Sequence, residues 1–281
     1  MKNTVLITGV SSGIGEAIAQ TCIDSGYRVF GTLRTAADAV RCQAKWGELF
    51  VPLLADVRDE AALRQAVVTV EAALAGRPLN VIVNNAGIVM PAPLQLQPLD
   101  DIQTMLEVNV LAPVRVIQAF LPLLGADSAG IRPKIVNISS VSGQLAMPFL
   151  GGYTASKHAL EGLSYSLRRE LLLLGIDVVV VAPGSVRTPI WAKAATPNFF
   201  PGSCYEQPFK KFIAISLAGE KKGLSPLVIA KLVLNIMQAK RPKVRYNPVP
   251  QKFANFYLPK LLPARLLDRL LFVLLGEGKS G

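Results

Sequence analysis

The chain is poor in the residues from which several common active sites are built. His158 is the only histidine in 281 residues, which excludes a Ser-His-Asp triad and any multi-histidine metal site within one chain. It follows Lys157, but adjacent side chains on a helix point about a hundred degrees apart, so a packing or surface place is expected for it. The three cysteines, Cys22, Cys42 and Cys204, are odd in number, widely spaced and in no metal or redox motif. They suit a reducing cytoplasm and buried filling positions, and no metal site is expected. Internal repeats and low-complexity segments are missing as well. Thr4 already begins an apolar run, so no signal peptide is expected and the chain reads as cytoplasmic.

Acidic residues are scarce in one place. Residues 1–188 hold 15 Lys or Arg and 15 Asp or Glu, whereas residues 189–281 hold 15 basic and 4 acidic. The whole net charge of +11 therefore lies in the last third. Nucleic-acid binding is one reading of a basic segment. Between Phe253 and Leu275, however, the basic residues alternate with Pro, Leu, Phe and Tyr, which argues for an anionic membrane surface instead and against nucleic acid. The longest apolar run there, Leu270 to Leu275, is far short of the roughly 18–20 residues that span a bilayer. A helix covering a substrate pocket or a subunit contact accounts for the same pattern, and the sequence leaves the two readings open.

Half of the residues are hydrophobic (51%), enough for one large α/β domain with a substantial core. Short apolar runs alternate with helical stretches: 4–8, 27–33, 50–54, 81–84, 134–138 and 177–182 read as strands, with 243–246 as a last one. The segments 60–74, 99–124 and 153–174 have helical length and pattern. Such alternation predicts a parallel sheet. Val178-Val179-Val180-Val181 reads as a strand buried on both faces.

Tyr153 and Lys157 stand four residues apart, which puts a phenol and an ammonium side by side if the segment is helical. A nearby cation favours the charged form of a phenol, so the pair suits proton transfer near neutral pH. The first run, Thr4 to Ile7, leads into Thr8-Gly9-Val10-Ser11-Ser12-Gly13-Ile14-Gly15 and then a helical pattern. A strand, a Gly-rich turn and a helix N-terminus make an anion site, because free N–H groups and the helix dipole point to one place. The spacing of Gly9, Gly13 and Gly15 departs from G-x-G-x-x-G.

Taken with Asp56-Val57, Asn84-Asn85-Ala86-Gly87, Asn109, Ser139-Ser140, Tyr153-x-x-x-Lys157 and Pro183-Gly184-Ser185-Val186-Arg187-Thr188, that turn resembles the short-chain dehydrogenase/reductase family, over about residues 3–190. The resemblance implies a Rossmann-type, doubly wound α/β fold, with a mainly parallel seven-stranded sheet and helices on both faces. It implies a nicotinamide-dependent oxidoreductase acting on an alcohol or carbonyl. Gly9, Ser11, Ser12, Ile14 and Gly15 would surround the pyrophosphate and adenosine ribose, Asp56 and Val57 the adenine, and Asn85, Ala86 and Gly87 the adenosine side. Pro183, Gly184, Val186 and Thr188 would contact the nicotinamide carboxamide. Tyr153 would be the general acid or base, Lys157 would lower its pKa and bind the nicotinamide ribose, and Ser140 would hydrogen-bond the substrate oxygen. Asn109 would hold a water linking Lys157 to solvent. Ser139 competes with Ser140, and the thirteen-residue spacing to Tyr153 selects Ser140. Leu33 stands where NAD-preferring relatives carry Asp, and Arg34 follows it. A guanidinium matches a 2'-phosphate in shape and charge, so NADP(H) is expected in preference to NAD(H).

Residues 1–250 are expected to form the cofactor-binding and catalytic domain, with a substrate loop over 188–225, and 251–281 a basic-apolar tail. The stretch 189–201, with Leu145, Met147, Phe149 and Leu150, offers an apolar wall suited to a lipophilic ligand. The Thr32-Leu33-Arg34 region and the tail are similar to the steroid and retinol dehydrogenase branches. The family's members are commonly dimers or tetramers, so a homo-oligomer is expected, and peripheral membrane contact through the tail is one of the two readings left open above. A cofactor-binding scaffold without catalysis is one alternative, against which the complete set of Asn109, Ser140, Tyr153 and Lys157 argues, and a peripheral membrane anchor that uses the fold only as a platform is the other.

Overall fold

A computed structural model of the chain describes residues 3–194 and 199–276. The strands are β1 (Thr4–Ile7), β2 (Arg28–Leu33), β3 (Phe50–Leu54), β4 (Val81–Asn84), β5 (Lys134–Ile138), β6 (Asp177–Val181) and β7 (Arg245–Tyr246). They form one seven-stranded sheet in the order β3-β2-β1-β4-β5-β6-β7, and every pairing is parallel. The sheet is thus wholly rather than mainly parallel. Its helices are α1 (Gly13–Asp24), α2 (Ala36–Trp46), α3 (Glu60–Leu74), α4 (Leu99–Leu106), α5 (Ala112–Phe120), α6 (Gly151–Glu170), α7 (Ile190–Ala194), α8 (Glu206–Lys221), α9 (Pro226–Gln238), α10 (Leu258–Leu261) and α11 (Ala264–Leu275).

The period-two alternation of side chains along each strand explains why the central runs are apolar throughout. Val5 and Ile7, Val81 and Val83, Val136 and Ile138, and Val179 and Val181 face the layer of α1 and α9, where Ile18, Ile229 and Val233 are buried. Leu6, Ile82, Ile135 and Val178 face the opposite layer, where Leu63 and Val70 of α3 and Val116 and Phe120 of α5 are buried. Local chemistry sets the helix starts. Asp59 accepts from Ala61 N and Ala62 N at 2.8 and 3.1 Å at the head of α3, Thr35 accepts from Asp38 N at the head of α2, and Ser225 precedes Pro226 at the head of α9.

Between α4 and α5, residues Glu107–Leu111 form a π-helical turn. The run Leu99–Leu123 has the length and apolarity to cross a membrane by composition alone, but Met105, Val116, Ile117 and Phe120 are buried in the fold. The tail is not one helix. A π-helical turn at Phe253–Tyr257 leads into α10, the chain bends at Leu262 and Pro263, and α11 follows. Pro263 cannot extend α10 and instead sits just before α11. Cys22 and Cys42 are buried, as expected of fillers, whereas Cys204 is exposed, because it lies in the turn that precedes α8. His158 is exposed, with Nδ1 2.9 Å from the Thr154 carbonyl oxygen.

Candidate functional site

Loops leaving the carboxyl ends of β1, β4, β5 and β6 meet along one edge of the sheet. There the strand order reverses direction between β1 and β4, which is where open α/β sheets bind ligands. The first loop is the Gly-rich turn. Gly13 has φ +65°, a conformation that side chains other than glycine's disfavour. A Cβ on Gly13 would sit 3.3 Å from Thr188 Cγ2, so the 183–188 loop closes directly against the turn. At Gly15 a Cβ would lie 2.1 Å from the Gly9 carbonyl oxygen and 2.4 Å from Asn85 Nδ2. The turn is therefore wound back on the start of α1, leaving its first N–H groups directed out of the helix end. Such a cradle fits a phosphate-bearing cofactor.

The turn is braced from β2 and from the loop after β4. Thr8 Oγ1 accepts from Asn85 N and Ala86 N, Thr32 Oγ1 accepts from Gly9 N, and Asn85 Nδ2 donates to Thr8 O and Gly9 O. Asn85 thus spends its amide on the turn itself. Asp56 is gripped by Arg58, whose guanidinium and main-chain N–H hold the carboxyl below the usual carboxylate range. Val57 is buried beside it. Arg34 is exposed at the end of β2 and, among the described residues, makes no hydrogen bond or ion pair. Arg41 of α2 had drawn no notice in the sequence; it donates to Ser11 O at 2.8 Å and pairs with Asp38. Ser11 and Ser12 are half-buried and Ile14 lies behind them.

The second cluster lies where α6 crosses the end of β5. Lys157 is buried, donates to Ile138 O at 3.1 Å, and has its Nζ 5.8 Å from the centroid of the Tyr153 ring. Burial pushes the Lys157 ammonium down to about 8 and the Tyr153 phenol up, the latter partly offset by a hydrogen bond with Ser140. In the protein alone desolvation governs the phenol, and the Ser140 hydrogen bond opposes it. Ser140 accepts from Ser142 N at 3.1 Å, and Ser139 points the other way, donating to Glu161 Oε1 at 2.9 Å. Strand-end alternation separates the two serines. Pro183 O accepts from Val141 N, joining the β5 and β6 loops. Gly184 donates to Pro248 O, and Val186 bridges to Leu224.

Asn109 sits in the π-helical turn, 1% exposed. Its Nδ2 donates to Ile88 O and Ser156 Oγ, and its Oδ1 accepts from Ile88 N. The amide ties the turn to the loop after β4 and to Ser156 of α6. Gly87 stands beside both functions: a Cβ there would lie 3.2 Å from Asn109 Oδ1 and 3.6 Å from Lys157 Nζ.

Apolar residues crowd the open side of Tyr153. Phe149, Leu150, Ile190 and Trp191 pack with Phe199, Phe200, Phe209, Phe212 and Leu275 of α11. Phe149 holds φ +66°, an uncommon state for a bulky side chain, and its ring meets those of Phe209 and Phe212 at 5.3 and 5.5 Å. Met147 is exposed and Leu145 half-buried at the edge of this wall. Residues 195–198 of the expected wall lie outside the described residues. Phe209, Phe212 and Leu275 come from helices with no motif, and only the fold brings them here.

Residues 3–198 match the short chain dehydrogenase family. The chain is 36% identical over 269 residues to an NADPH-dependent 3-dehydrocapnine reductase of Ornithobacterium rhinotracheale, covering 95% of each. It is 32% identical to human retinol dehydrogenase 5, over 95% of this chain and 87% of that one. Among solved structures it resembles the Pseudomonas aeruginosa RhlG/NADP active-site complex, with a TM-score of 0.71 and 27% identity over 88% of this chain and 94% of that one.

Proposed function

The chain belongs to the short chain dehydrogenase family, oxidoreductases acting on CH–OH and C=O groups with a nicotinamide cofactor, and from that premise we propose that it transfers hydride between NADP(H) and a lipophilic alcohol or carbonyl. The observation that carries the reading is the convergence of three groups: a buried Lys157 ammonium over the Tyr153 ring and a Ser140 hydroxyl bonded to the Tyr153 phenol, all beside a glycine cradle. Gly9, Ser11, Ser12, Ile14 and Gly15 hold the cofactor's phosphates and ribose, Asp56 and Val57 its adenine, Asn85 to Gly87 its adenosine side, and Pro183, Gly184, Val186 and Thr188 its carboxamide. Hydride transfer is the chemistry the nicotinamide supplies when bound. NADP(H) is preferred, with NAD(H) accepted less well. Arg34 supports this preference: it is exposed and follows Leu33, which stands where an acidic residue would favour NAD. Arg41, anchored on Ser11, is a second cation on the same side.

The chain's own residues handle the proton. In reduction, Tyr153 donates to the substrate oxygen as negative charge develops on it, and in oxidation it accepts. Ser140, which accepts from Ser142 N and bonds the Tyr153 phenol in the protein alone, donates a second hydrogen bond to the same substrate oxygen. Lys157 stabilises the phenolate and binds the nicotinamide ribose. Asn109 sets the helix kink beside Gly87 that gives Lys157 its place.

The aromatic wall supports a lipophilic substrate, as do relatives whose names include a retinol dehydrogenase. The tail supports delivery from a membrane surface. Phe253, Leu261, Leu266, Leu270 and Val273 are exposed on it, an apolar area unusual for a soluble monomer, and Lys252, Lys260, Arg265 and Arg269 flank it. That charge suits an anionic lipid surface. Lys260 also donates to Gln144 in the loop after Ser140, and Leu275 packs in the wall itself. The docking face therefore adjoins the pocket. A cytoplasmic homo-oligomer, dimer or tetramer, peripheral at the membrane, completes the reading. The test is a screen of apolar ketones and aldehydes followed by NADPH absorbance, with Tyr153→Phe as control; no turnover on any of them, by a protein that binds NADPH, would favour a cofactor-binding scaffold.

A further inference from the structure

Helix α6 carries a third ionisable residue in register with the first two. Tyr153, Lys157 and Glu161 follow one another at four-residue spacing, so they form one column on the face turned to the sheet. This face is fastened to β5 and its exit by three successive bonds. Asn137 Nδ2 donates to Ser164 Oγ at 2.8 Å, Lys157 donates to Ile138 O at 3.1 Å, and Ser139 Oγ donates to Glu161 Oε1 at 2.9 Å. The next residue in the chain is Ser140. The loop after it runs hard against the same carboxylate, since a Cβ on Gly143 would lie 2.1 Å from Glu161 Oε1.

The other carboxylate oxygen, Oε2, is bonded by Arg245 of β7. Arg245 donates through Nε to Asn247 Oδ1 at 2.7 Å and pairs in register with Val180 of β6. The ion pair is enclosed, with side-chain exposures of 10% for Arg245 and 5% for Glu161. Burial also depresses the Arg245 guanidinium, to about 10. Nothing in the family motif calls for either residue, and an enclosed ion pair is weak evidence of stability, because desolvation offsets much of the attraction.

We infer that Glu161 and Arg245 are positioning residues for the reaction. Glu161 holds Ser139, and through it Ser140, at a set height against Tyr153, and Arg245 cancels the carboxylate's charge so that it does not oppose the phenolate two turns away. The inference rests on the proton-transfer reading of Tyr153. Other charged groups on elements packed against α6 are Asp100 and Asp101 on α4, Glu107 on the π-helical turn, and Lys134 and Asp177 at the opposite ends of β5 and β6. Glu107 is paired with Arg115. On α6 itself, His158, Arg169 and Glu170 are exposed and Arg168 is half-buried. The enclosed pair is thus the charge set closest in sequence register to the Tyr153–Lys157 dyad.

Carbonyl reduction needs a protonated Tyr153 beside a charged Lys157, so its rate falls on an alkaline limb that reports the coupled pair, and both groups respond in the same direction to a bare charge left at Glu161 or Arg245. Arg245→Met leaves a bare carboxylate and should move that limb up by about half a pH unit or more, while Glu161→Gln leaves a bare cation and should move it down. The neutral double variant should return it to the wild-type position. Opposite signs are a result that loosened packing does not produce. Ser139→Ala removes the tether without changing charge, and should lower kcat several-fold with KM and the limb unmoved. Arg245→Lys keeps the charge and serves where Arg245→Met does not fold. It should hold the limb in place. Limbs that stay put in both single variants, or move the same way, would overturn the charge role, and an unchanged kcat in Ser139→Ala would overturn the tether. Tyr153→Phe in the same assay separates the two levels. Retained turnover there refutes the proton-transfer reading itself, whereas lost turnover with unmoved limbs refutes only the ion pair's part.

Discussion

Replacing Gly15 by alanine tests the cofactor cradle without knowledge of the substrate. The added Cβ would lie 2.1 Å from Gly9 O and 2.4 Å from Asn85 Nδ2, where ordinary contacts begin at 3.4 Å, so the turn must open by about 1.3 Å. Neither neighbour gives easily. Gly9 O is main chain, and Asn85 Nδ2 is held by Thr8 O and Gly9 O at 2.9 and 3.1 Å. Swinging Asn85 aside forfeits two bonds worth about 1 kcal/mol each, and overpacking adds about 1–3 kcal/mol. A loss of about 3–5 kcal/mol is expected, lowering Tm by roughly 6–20 °C in a chain of this size. NADPH affinity should fall at least about tenfold, because the displaced turn carries the anion-binding N–H groups. Thermal melting and NADPH fluorescence titration read both effects. Gly162→Ala is the matched control: nothing lies within 4 Å of its Cβ, and the same change inside an exposed helix face should raise stability by up to about 1 kcal/mol. A Gly15→Ala protein that melts with the wild type and binds NADPH equally well would refute the cradle argument.

Tyr153→Phe should cut turnover by about a hundredfold or more with little change in NADPH affinity, measured by single-turnover reduction and titration. Arg34→Ala should weaken NADPH binding by roughly 1.5–3 kcal/mol and spare NADH; equal losses for both cofactors would assign Arg34 a structural role only. Lys157→Met should stabilise the protein at pH 7 while abolishing activity. The folded Lys157 sits at about 8 against an ordinary value of 10.5, so the unfolded chain binds more protons between those values and stability rises with pH across that window. The variant's advantage, up to about 3 kcal/mol less the lost bond to Ile138, should therefore shrink between pH 8 and 10.5 in denaturant melts. The intact chain should sediment with anionic but not neutral vesicles and release in high salt, and truncation after Asn255 should abolish this; a protein that stays in the supernatant throughout would remove the membrane contact.

Local pattern determined most of the fold. Six strands fall within a residue of where apolar runs end at turns, and α3 matches its helical pattern at both ends, because a parallel sheet covered on both faces demands uninterrupted apolar strands and leaves little freedom in register. The last strand is the exception: it begins at Arg245 rather than Lys243, since an edge strand with one partner has less to define it. The Gly-rich turn and the Tyr153–Lys157 pair were equally legible, being contiguous in sequence and tied to one conformation each.

What only the tertiary structure decided depends on partners far apart in the chain. That Asn109 spends its amide on Ile88 and Ser156 follows from a π-helical turn meeting a distant loop. The direction of the Tyr153 shift follows from burial by α8 and α11 residues, which no local spacing reveals. Arg245 and Glu161 are 84 positions apart, and neither looks exceptional in its own segment. Their pairing exists because β7 closes the sheet edge beside β6, bringing a strand cation onto the helix face that also carries Tyr153. Sequence patterns record chemistry that neighbours share, whereas the charge balance and desolvation around a site are properties of the packed interior.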